Sequence, residues 1–292
     1  MSQLMPAAGC APGHGTESDL MRQIDSTIGL EGCCGWPGAR VAVKRIPSVG
    51  FGGDFHNITH RTEGQHAVVV GTVSGPGLVA ALAKATIARA IGRHGSVNRS
   101  PVALITFLDE LLDRLNTDLG VRSITCSVFI GLVDRARQTL AYTAAGSIRP
   151  YIQTRDGSVR DLLTGTPALG APERVEREPG SLDLASVQRL MIHTEGLCQA
   201  QSTAGESYGA SRSRKLLTET ARLPVDRQLA AVAEDVHAHI GPLRTPTEDV
   251  TVFVAHLGDD RMTTPNHASF RDVFNSYENT GGPPLDSSVF LG

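Results

Sequence analysis

The sequence is poor in aromatic residues and contains no long apolar run. Of its 292 residues one is Trp and four are Tyr, and aromatic residues make up 4%. So few aromatic rings could stack on nucleic-acid bases. The net charge is −3, and the basic residues are scattered along the chain rather than clustered, so they form no stripe that could bind a phosphate backbone. No run approaches the roughly 18 apolar residues of a membrane span. We therefore expect a cytoplasmic protein without a nucleic-acid or membrane partner.

The five cysteines show no CxxC spacing; they are Cys10, Cys33, Cys34, Cys126 and Cys198. An odd count argues against a complete disulfide framework, and the adjacent Cys33 and Cys34 cannot easily share one tetrahedral metal ion. The spacing therefore predicts reduced thiols rather than disulfides or a zinc site.

Composition divides the chain into three parts. Residues 1–16 are small and rich in Pro and Gly, without a period, which predicts a disordered leader. Residues 259–292 are polar, with Pro, Gly, Asn and Ser, which predicts a loosely attached tail. Residues 17–258 contain no internal repeat and no linker, so they are predicted to form one domain.

Within this domain the hydrophobic pattern predicts both strands and helices. Strands are predicted at 39–46, 65–73, 123–134, 138–146, 187–194 and 248–257, with a further hairpin inside 148–163. Helices are predicted at 17–30, 77–93, 100–120, 211–221 and 225–240. Because the strands come mainly as hairpins with helices grouped between them, the pattern favours layered antiparallel sheets over a doubly wound parallel sheet.

Four short stretches place a polar group at a strand end next to glycine. They are "GGDFHN" (52–57), "VVVGTVSGPG" (68–77), "IHTEG" (192–196) and "TEDVT" (247–251). An acid held at a strand end by a glycine turn presents its carboxylate on a rigid backbone, as hard cations such as Mg²⁺ or Mn²⁺ require. Together the four stretches predict one site.

The order and spacing of these stretches resemble the PPM metal-dependent protein phosphatases over residues 38–257. The likeness is to the bacterial branch typified by the stage II sporulation protein E phosphatase and the stress-response sigma-factor regulators. That family reads Gly-Gly-Asp-aromatic-x-Asp, Gly-Asp-Val-Ser-Gly-His-Gly, Thr-Asp-Gly and Asp-Asp-x-Thr where this chain has the four stretches. Three further segments resemble family motifs in the same order: "AAGSIRP" (144–150), "PALG" (167–170) and "YGASRSRKLL" (208–217).

The resemblance implies both a fold and a chemistry. The fold would be α+β, a four-layer α-β-β-α sandwich of two mainly antiparallel sheets flanked by helices. Family members hold two divalent ions, Mn²⁺ or Mg²⁺, through acidic residues that include a bridging aspartate, and they hydrolyse phosphoserine or phosphothreonine in proteins. Matched position by position, Asp54 and Asp249 are intact and Glu195 stands where Asp is expected. These three residues are the expected metal ligands and catalytic residues.

The chain departs from the family pattern at four positions. Thr72 occupies the place of the bridging aspartate, and Asn57 replaces the second aspartate of the first motif. Pro76 and Ser147 replace two family histidines. Because a bridging anion makes two nearby cations tolerable, its loss at Thr72 predicts weakened or absent binding of Mn²⁺ or Mg²⁺.

Two interpretations follow from the resemblance. The first is a regulatory pseudophosphatase that binds a phosphorylated protein partner in bacterial signalling, such as an anti-sigma-factor antagonist in a partner-switching pathway. The second is a divergent active phosphatase that uses Asp54, Glu195 and Asp249 with one metal ion or an altered pair.

Other interpretations of the same residues carry less support. An isolated Asp at a turn is often only a hydrogen-bonding cap. A substitute transition-metal site could draw on the imidazoles of His56, His60, His66 and His193, although surface or core positions are the commoner fate of histidine.

A dinucleotide-binding turn is a further alternative, because Gly75, Gly77 and Ala80 fit a G-x-G-x-x-A pattern between a strand and a helix. The segment 94–100 supplies neither the acid nor the second strand that this fold requires.

Overall fold

Ten strands, among the residues that the structure describes, pair into two antiparallel sheets. The structure is a computed structural model, and it describes residues 39–48, 52–62, 64–75, 77–94, 100–121, 123–162, 165–241 and 244–257, with only the backbone of 60 and 62. Sheet I has the order β2 (Asp54–Thr62), β3 (Gln65–Ser74), β4 (Thr125–Asp134), β5 (Thr139–Ala145), β8 (Gly180–Asp183). Sheet II has the order β1 (Ala39–Ile46), β10 (Val250–Leu257), β9 (Val187–His193), β6 (Arg149–Thr154), β7 (Val159–Asp161).

Helices cover the outer face of each sheet. On sheet I lie α1 (Gly77–His94) and α2 (Pro101–Asp118), whose buried Ile87, Ile91 and Leu108 pack against Val69 and Val128. On sheet II lie α3 (Gly196–Gln199), α4 (Ala210–Thr220) and α5 (Val225–Ile240). The expected four-layer α-β-β-α sandwich is therefore confirmed.

The two sheets meet through a shared apolar core. Val70 and Phe129 of sheet I pack in one cluster with Ile192 and Phe253 of sheet II. Because side chains alternate between the faces of a strand, residues two or four positions from these also point into the space between the sheets. We call this space the intersheet cleft, although packed apolar side chains fill most of it.

Most of the predicted elements are present within a few residues of their predicted bounds. Helix α5 spans Val225–Ile240 and strand β1 spans Ala39–Ile46, both as predicted. Three elements were not predicted. The short β8 and α3 have four residues each, which carry too little periodicity, and β2 (Asp54–Thr62) has a mainly polar sequence without a clear apolar alternation. The leader, the 17–30 helix and the tail of the sequence analysis lie outside the described residues.

Strand β3 pairs antiparallel with both β2 and β4. This pairing does not supply the parallel β-α-β unit that the dinucleotide-binding alternative requires. No helix among the described residues is long and apolar enough to cross a membrane.

The start of α2 follows from its first two residues. Ser100 has an extended backbone, and its side chain accepts a hydrogen bond from the Val102 backbone N–H at 3.2 Å, while Pro101 occupies the first helical position. Proline suits this position because the N–H that it lacks has no partner inside the helix.

We predict that Ser100→Ala lowers the free energy of unfolding by about 1 kcal/mol, because one backbone N–H of α2 loses its acceptor. Urea unfolding monitored by circular dichroism measures the change. The exposed Ser181→Ala on the edge strand β8 serves as the control and should change stability by less than about 0.5 kcal/mol. Equal stabilities of the two variants would contradict the assigned cap.

Candidate functional site

The four glycine-flanked stretches converge at one end of the intersheet cleft. From sheet I, Asp54 on β2 lies directly opposite Thr72 on β3, and Thr72 lies opposite Ser127 on β4. From sheet II come Thr194, just after β9, and Thr251 on β10. The site is therefore assembled by both sheets and is rich in hydroxyl groups.

Asp54 is the buried carboxylate of this site, with 3% of its surface exposed. Thr194 Oγ1 donates a hydrogen bond to Asp54 Oδ2 at 2.7 Å, and it accepts one from the Thr251 backbone N–H at 3.0 Å. The pKa of Asp54 is raised to about 6: burial is the largest cause and the charge of Asp249 adds to it, whereas the hydroxyls of Thr251, Thr194 and Thr72 lower it. At neutral pH the Asp54 carboxyl is thus ionised, with its pKa only about one unit below the pH.

Asp249 is also buried, but its carboxylate is fully engaged by protein donors. Arg45 donates to Oδ2 through Nε at 2.9 Å and through Nη2. Ser48 donates to Oδ1 through its backbone N–H at 2.8 Å and its hydroxyl at 2.9 Å. A carboxylate accepts about four hydrogen bonds, so these four donors leave Asp249 no lone pair for a metal ion.

The two glycines before Asp54 are explained by close contacts. A Cβ on Gly52 would lie 1.9 Å from Asp249 Oδ2 and 2.0 Å from Arg45 Nη2. A Cβ on Gly53 would lie 2.1 Å from the backbone oxygen of Val73, the residue whose N–H donates to Gly53 O at 3.0 Å. The Gly-Gly pair therefore lets the chain pass over the Arg45–Asp249 ion pair and still join β3.

A second cation approaches the same segment from the helical layer. Lys84 of α1 is fully buried, and its Nζ donates to the backbone oxygen of Gly52 at 2.8 Å. The charges of Arg45 and Lys84 both reach His56, whose pKa is lowered to about 4 by burial first and then by these two cations. His56 is consequently neutral at physiological pH.

Glu195 and a neighbouring acid lie at the rim. Glu195 is half-buried at the start of α3, and Glu248 is exposed close by. The pKa of Glu248 is raised by partial burial and then by the charges of Glu195 and Asp249. Glu248 therefore belongs to the surroundings of Glu195, whereas the adjacent Asp249 is turned toward Arg45.

Asn57 does not join this group. It lies three residues after Asp54 on β2, which places it on the opposite face of sheet I, and its Oδ1 accepts a hydrogen bond from the Thr59 hydroxyl. Ser147 does lie near the site: its backbone N–H donates to Ser127 Oγ at 3.1 Å, and the two hydroxyls are 3.1 Å apart. Pro76 is outside the described residues.

The histidines do not form a substitute metal site in the part of the chain that is described. His56 faces the intersheet cleft, whereas His193 stacks on Tyr151 on the outer face of sheet II, with ring centroids 5.7 Å apart. Nowhere in the described ranges do three or more His, Cys, Asp or Glu side chains form a group that could hold a metal ion.

The residues around Asp54 can be compared with the ligands that two divalent metal ions need. The described residues offer one buried carboxylate with a raised pKa, one ion-paired carboxylate and two acids at the rim, with a neutral Thr72 facing Asp54. Two divalent ions held a few Å apart need a shared anion between them. The described donor set does not fit such a pair.

Sequence reasoning did not single out Arg45, Lys84 or Glu248. The signal for Arg45 was available, because it continues the inward-facing series Val41 and Val43 of β1 with a charge. Lys84 likewise falls at a core position of α1. Glu248 was passed over in favour of the adjacent Asp249, and only the geometry distinguishes the two.

The chain is similar in sequence to several known proteins. The sequence profile of the family described as Stage II sporulation protein E (SpoIIE) matches residues 62–258. The phosphoserine phosphatase RsbP of Bacillus subtilis is 27% identical over 147 residues, which cover 50% of this chain and 36% of that protein. The protein IcfG of Synechocystis is 25% identical over 124 residues, covering 41% of this chain and 20% of IcfG. The matches thus span about a third or less of these relatives.

Solved structures share the fold. The SiaA-PP2C domain of Pseudomonas aeruginosa is 25% identical, with a TM-score of 0.61 over 81% of this chain and 89% of that one. The structure of the RsbU and RsbW domains of a Mycobacterium tuberculosis protein is 22% identical and has a TM-score of 0.61, over 83% of this chain and 68% of that one. This second likeness concerns the fold alone.

We predict that Gly53→Ala lowers the free energy of unfolding by about 1–3 kcal/mol, because the new methyl group would overlap the Val73 backbone oxygen. The matched control is Gly92→Ala in α1, where nothing lies within 4 Å of the added carbon. Alanine there should raise stability by about 0.5–1 kcal/mol through helix propensity. Chemical unfolding of both variants measures the difference, and a harmless Gly53→Ala would contradict the close approach.

We also predict that Asp54→Asn makes the free energy of unfolding less sensitive to rising pH. Folding raises the pKa of Asp54 from 3.8 to about 6, so this group favours the folded state below pH 4 and loses that contribution as the pH rises through 6. Asn mimics the protonated acid at every pH. Between pH 4 and pH 7.5 the free energy of unfolding of the variant should rise by about 2–3 kcal/mol relative to that of the wild type, since one pKa unit corresponds to about 1.4 kcal/mol.

Urea unfolding at several pH values in a metal-free buffer measures this gain. The exposed Asp118→Asn, treated in the same way, corrects for the general pH dependence of unfolding. A constant difference between Asp54→Asn and the wild type would mean that Asp54 stays ionised throughout, as a carboxylate held by a cation would.

Proposed function

The chain belongs to the stage II sporulation protein E family of PPM phosphatases, and on that premise we propose that it acts as a regulatory pseudophosphatase. It is a PP2C-like phosphatase domain related to RsbP, and it shares its fold with the structure of the RsbU and RsbW domains. In the proposed role it binds a phosphorylated protein at the end of the intersheet cleft where Asp54 and Thr72 lie, and it has lost most metal-dependent hydrolysis.

The pairing of Asp54 with Thr72 carries this proposal. The two residues face each other across β2 and β3, at the point where the family motif places an acid that bridges two ions. A threonine hydroxyl is neutral, so it cannot offset the repulsion between two divalent cations. Among the described residues of its own sheet, Asp54 has the hydroxyls of Thr72 and Ser127 and the neutral imidazole of His56 nearby, and none of these supplies a negative charge for two Mn²⁺ or Mg²⁺ ions.

The partner class rests on the relatives. RsbP is named a phosphoserine phosphatase, and a stressosome structure that shares the fold, with a TM-score of 0.52, concerns bacterial signalling. A phosphoserine or phosphothreonine protein of the cytoplasm is the corresponding partner here. Within a partner-switching pathway this partner would be an anti-sigma-factor antagonist.

A second candidate function is supported by the acids at the rim. Glu195 and Glu248 lie near each other, since a Cβ on Gly196, the residue after Glu195, would lie 3.4 Å from the Glu248 Cβ. Partial burial, and then the charges of Glu195 and Asp249, raise the pKa of Glu248. A divergent active phosphatase would use these acids with Asp54 and one divalent ion. The sequence analysis gave this role to Asp249, whose carboxylate is instead occupied by Arg45 and Ser48.

We predict that the purified protein binds Mn²⁺ weakly and releases no phosphate above background from a phosphoserine peptide. Isothermal titration with Mn²⁺ and a phosphate-release assay on the same preparation measure both properties. The phosphatase domain of RsbP, assayed in parallel, is the positive control.

Tight Mn²⁺ binding with Mn²⁺-dependent turnover would overturn the pseudophosphatase proposal. In that case Glu248→Gln and Asp249→Asn identify the ligands. Loss of turnover in Glu248→Gln alone supports the rim site, and loss in Asp249→Asn alone supports the assignment made from the sequence.

A further inference from the structure

Two protein cations lie on opposite sides of the Gly52–Asp54 segment. Arg45 reaches it from sheet II, where its guanidinium lies within 2.0 Å of the position that a Gly52 Cβ would take. Lys84 reaches it from α1, through the 2.8 Å hydrogen bond to Gly52 O. The segment that presents Asp54 is thus held between a guanidinium and an ammonium group.

Lys84 is placed where a helix of this kind normally has an apolar residue. It lies in line with Ala80, Ile87 and Ile91, which are buried against sheet I, and 0% of its own surface is exposed. Burying an ammonium group is costly unless its protons are bound by acceptors, and lysine is seldom fully buried. A lysine tolerated here must therefore provide something that the site requires.

Arg45 has a comparable place in the other sheet. It follows Val41 and Val43 on the cleft side of β1, and its Nε and Nη2 both donate to Oδ2 of the buried Asp249, whose charge they neutralise. Without Arg45, Asp249 would be an uncompensated buried charge beside Asp54, whose pKa its charge already raises.

From this arrangement we propose that Arg45 and Lys84 replace divalent ions as the cations that hold this pocket together. Arg45 binds the carboxylate of Asp249 and Lys84 binds the backbone of the Gly-Gly-Asp turn. The pocket consequently forms without metal, and the fixed positive charges also repel an incoming divalent ion. The inference goes beyond the proposed function, because it concerns how the site is held rather than what it binds.

The proposed role of Lys84 leads to a prediction that differs from the one expected if only the bridging acid were missing. If only the acid were missing, Thr72→Asp would by itself restore Mn²⁺ binding. If Lys84 also excludes the ion, Thr72→Asp should bind Mn²⁺ weakly, and Thr72→Asp combined with Lys84→Met should bind it at least about tenfold more tightly, because like charges interact strongly in a buried site.

Isothermal titration with Mn²⁺ on the two variants tests this directly. The control combines Thr72→Asp with Lys215→Met, which removes a lysine of α4 that pairs with Glu219 at the surface. The control should bind Mn²⁺ as weakly as Thr72→Asp alone. If Lys84→Met prevents folding, Lys84→Gln removes the charge and keeps a donor for Gly52 O.

Equal Mn²⁺ affinity of Thr72→Asp with and without the Lys84 substitution overturns the inference, whether both bind or neither does. Melting curves of the wild type give an independent readout, and they should be unchanged by EDTA or by Mn²⁺. A melting temperature that falls in EDTA and recovers in Mn²⁺ would also overturn the inference. Neither result depends on phosphate release, so a failure of the proposed function would be recognised separately.

Discussion

The ion pair between Arg45 and Asp249 is the constraint on which the rest of the site depends. It joins β1 to the residue that precedes β10, and Ser48 donates a hydrogen bond to the second oxygen of the same carboxylate. Because the guanidinium and carboxylate fill the space where a side chain at position 52 would lie, this position must be glycine. The glycine turn then places Asp54 opposite Thr72 at the end of sheet I. Asp249 is buried while Arg45 is partly exposed, and removing Arg45 would leave a buried carboxylate without its counter-charge, so the geometry of the whole turn is coupled to this pair.

This coupling gives the site a chemical character different from a metal centre. In a two-metal site, cations bind carboxylates that would otherwise repel each other, and the ions then activate water. Here one carboxylate is neutralised by Arg45, and burial raises the pKa of Asp54 while hydroxyl groups surround it. Under the proposed function, this pocket would bind a phosphorylated partner without a bridged pair of ions, and the fold of a phosphatase would be retained for binding.

Much of the fold could be predicted from the sequence, because most strands and helices of eight or more residues carry a clear period; the nine-residue β2, with its polar His, Asn, Thr and Arg side chains, is the exception. The ordered motifs also brought Asp54, Thr72 and the end of β9 together correctly. Asn57 could not be placed from its position in the motif alone. It stands three residues after Asp54 on β2, and residues an odd number of positions apart on a strand point to opposite faces of the sheet. The choice between Glu248 and Asp249 could not be made either, since both are acids at one strand end and only the position of Arg45 separates them. Charges at core positions, Arg45 on β1 and Lys84 on α1, were visible as exceptions to the hydrophobic pattern, but their partners lie 204 and 32 residues away.

The central claim is that protein cations occupy the role of the metal ions. A crystal structure grown in millimolar Mn²⁺, with diffraction recorded at the manganese absorption edge, tests it most directly. The account predicts an intact Arg45–Asp249 pair and no anomalous density between Asp54 and Glu195. A strong manganese peak coordinated by Asp54, with Arg45 displaced from Asp249, would contradict it.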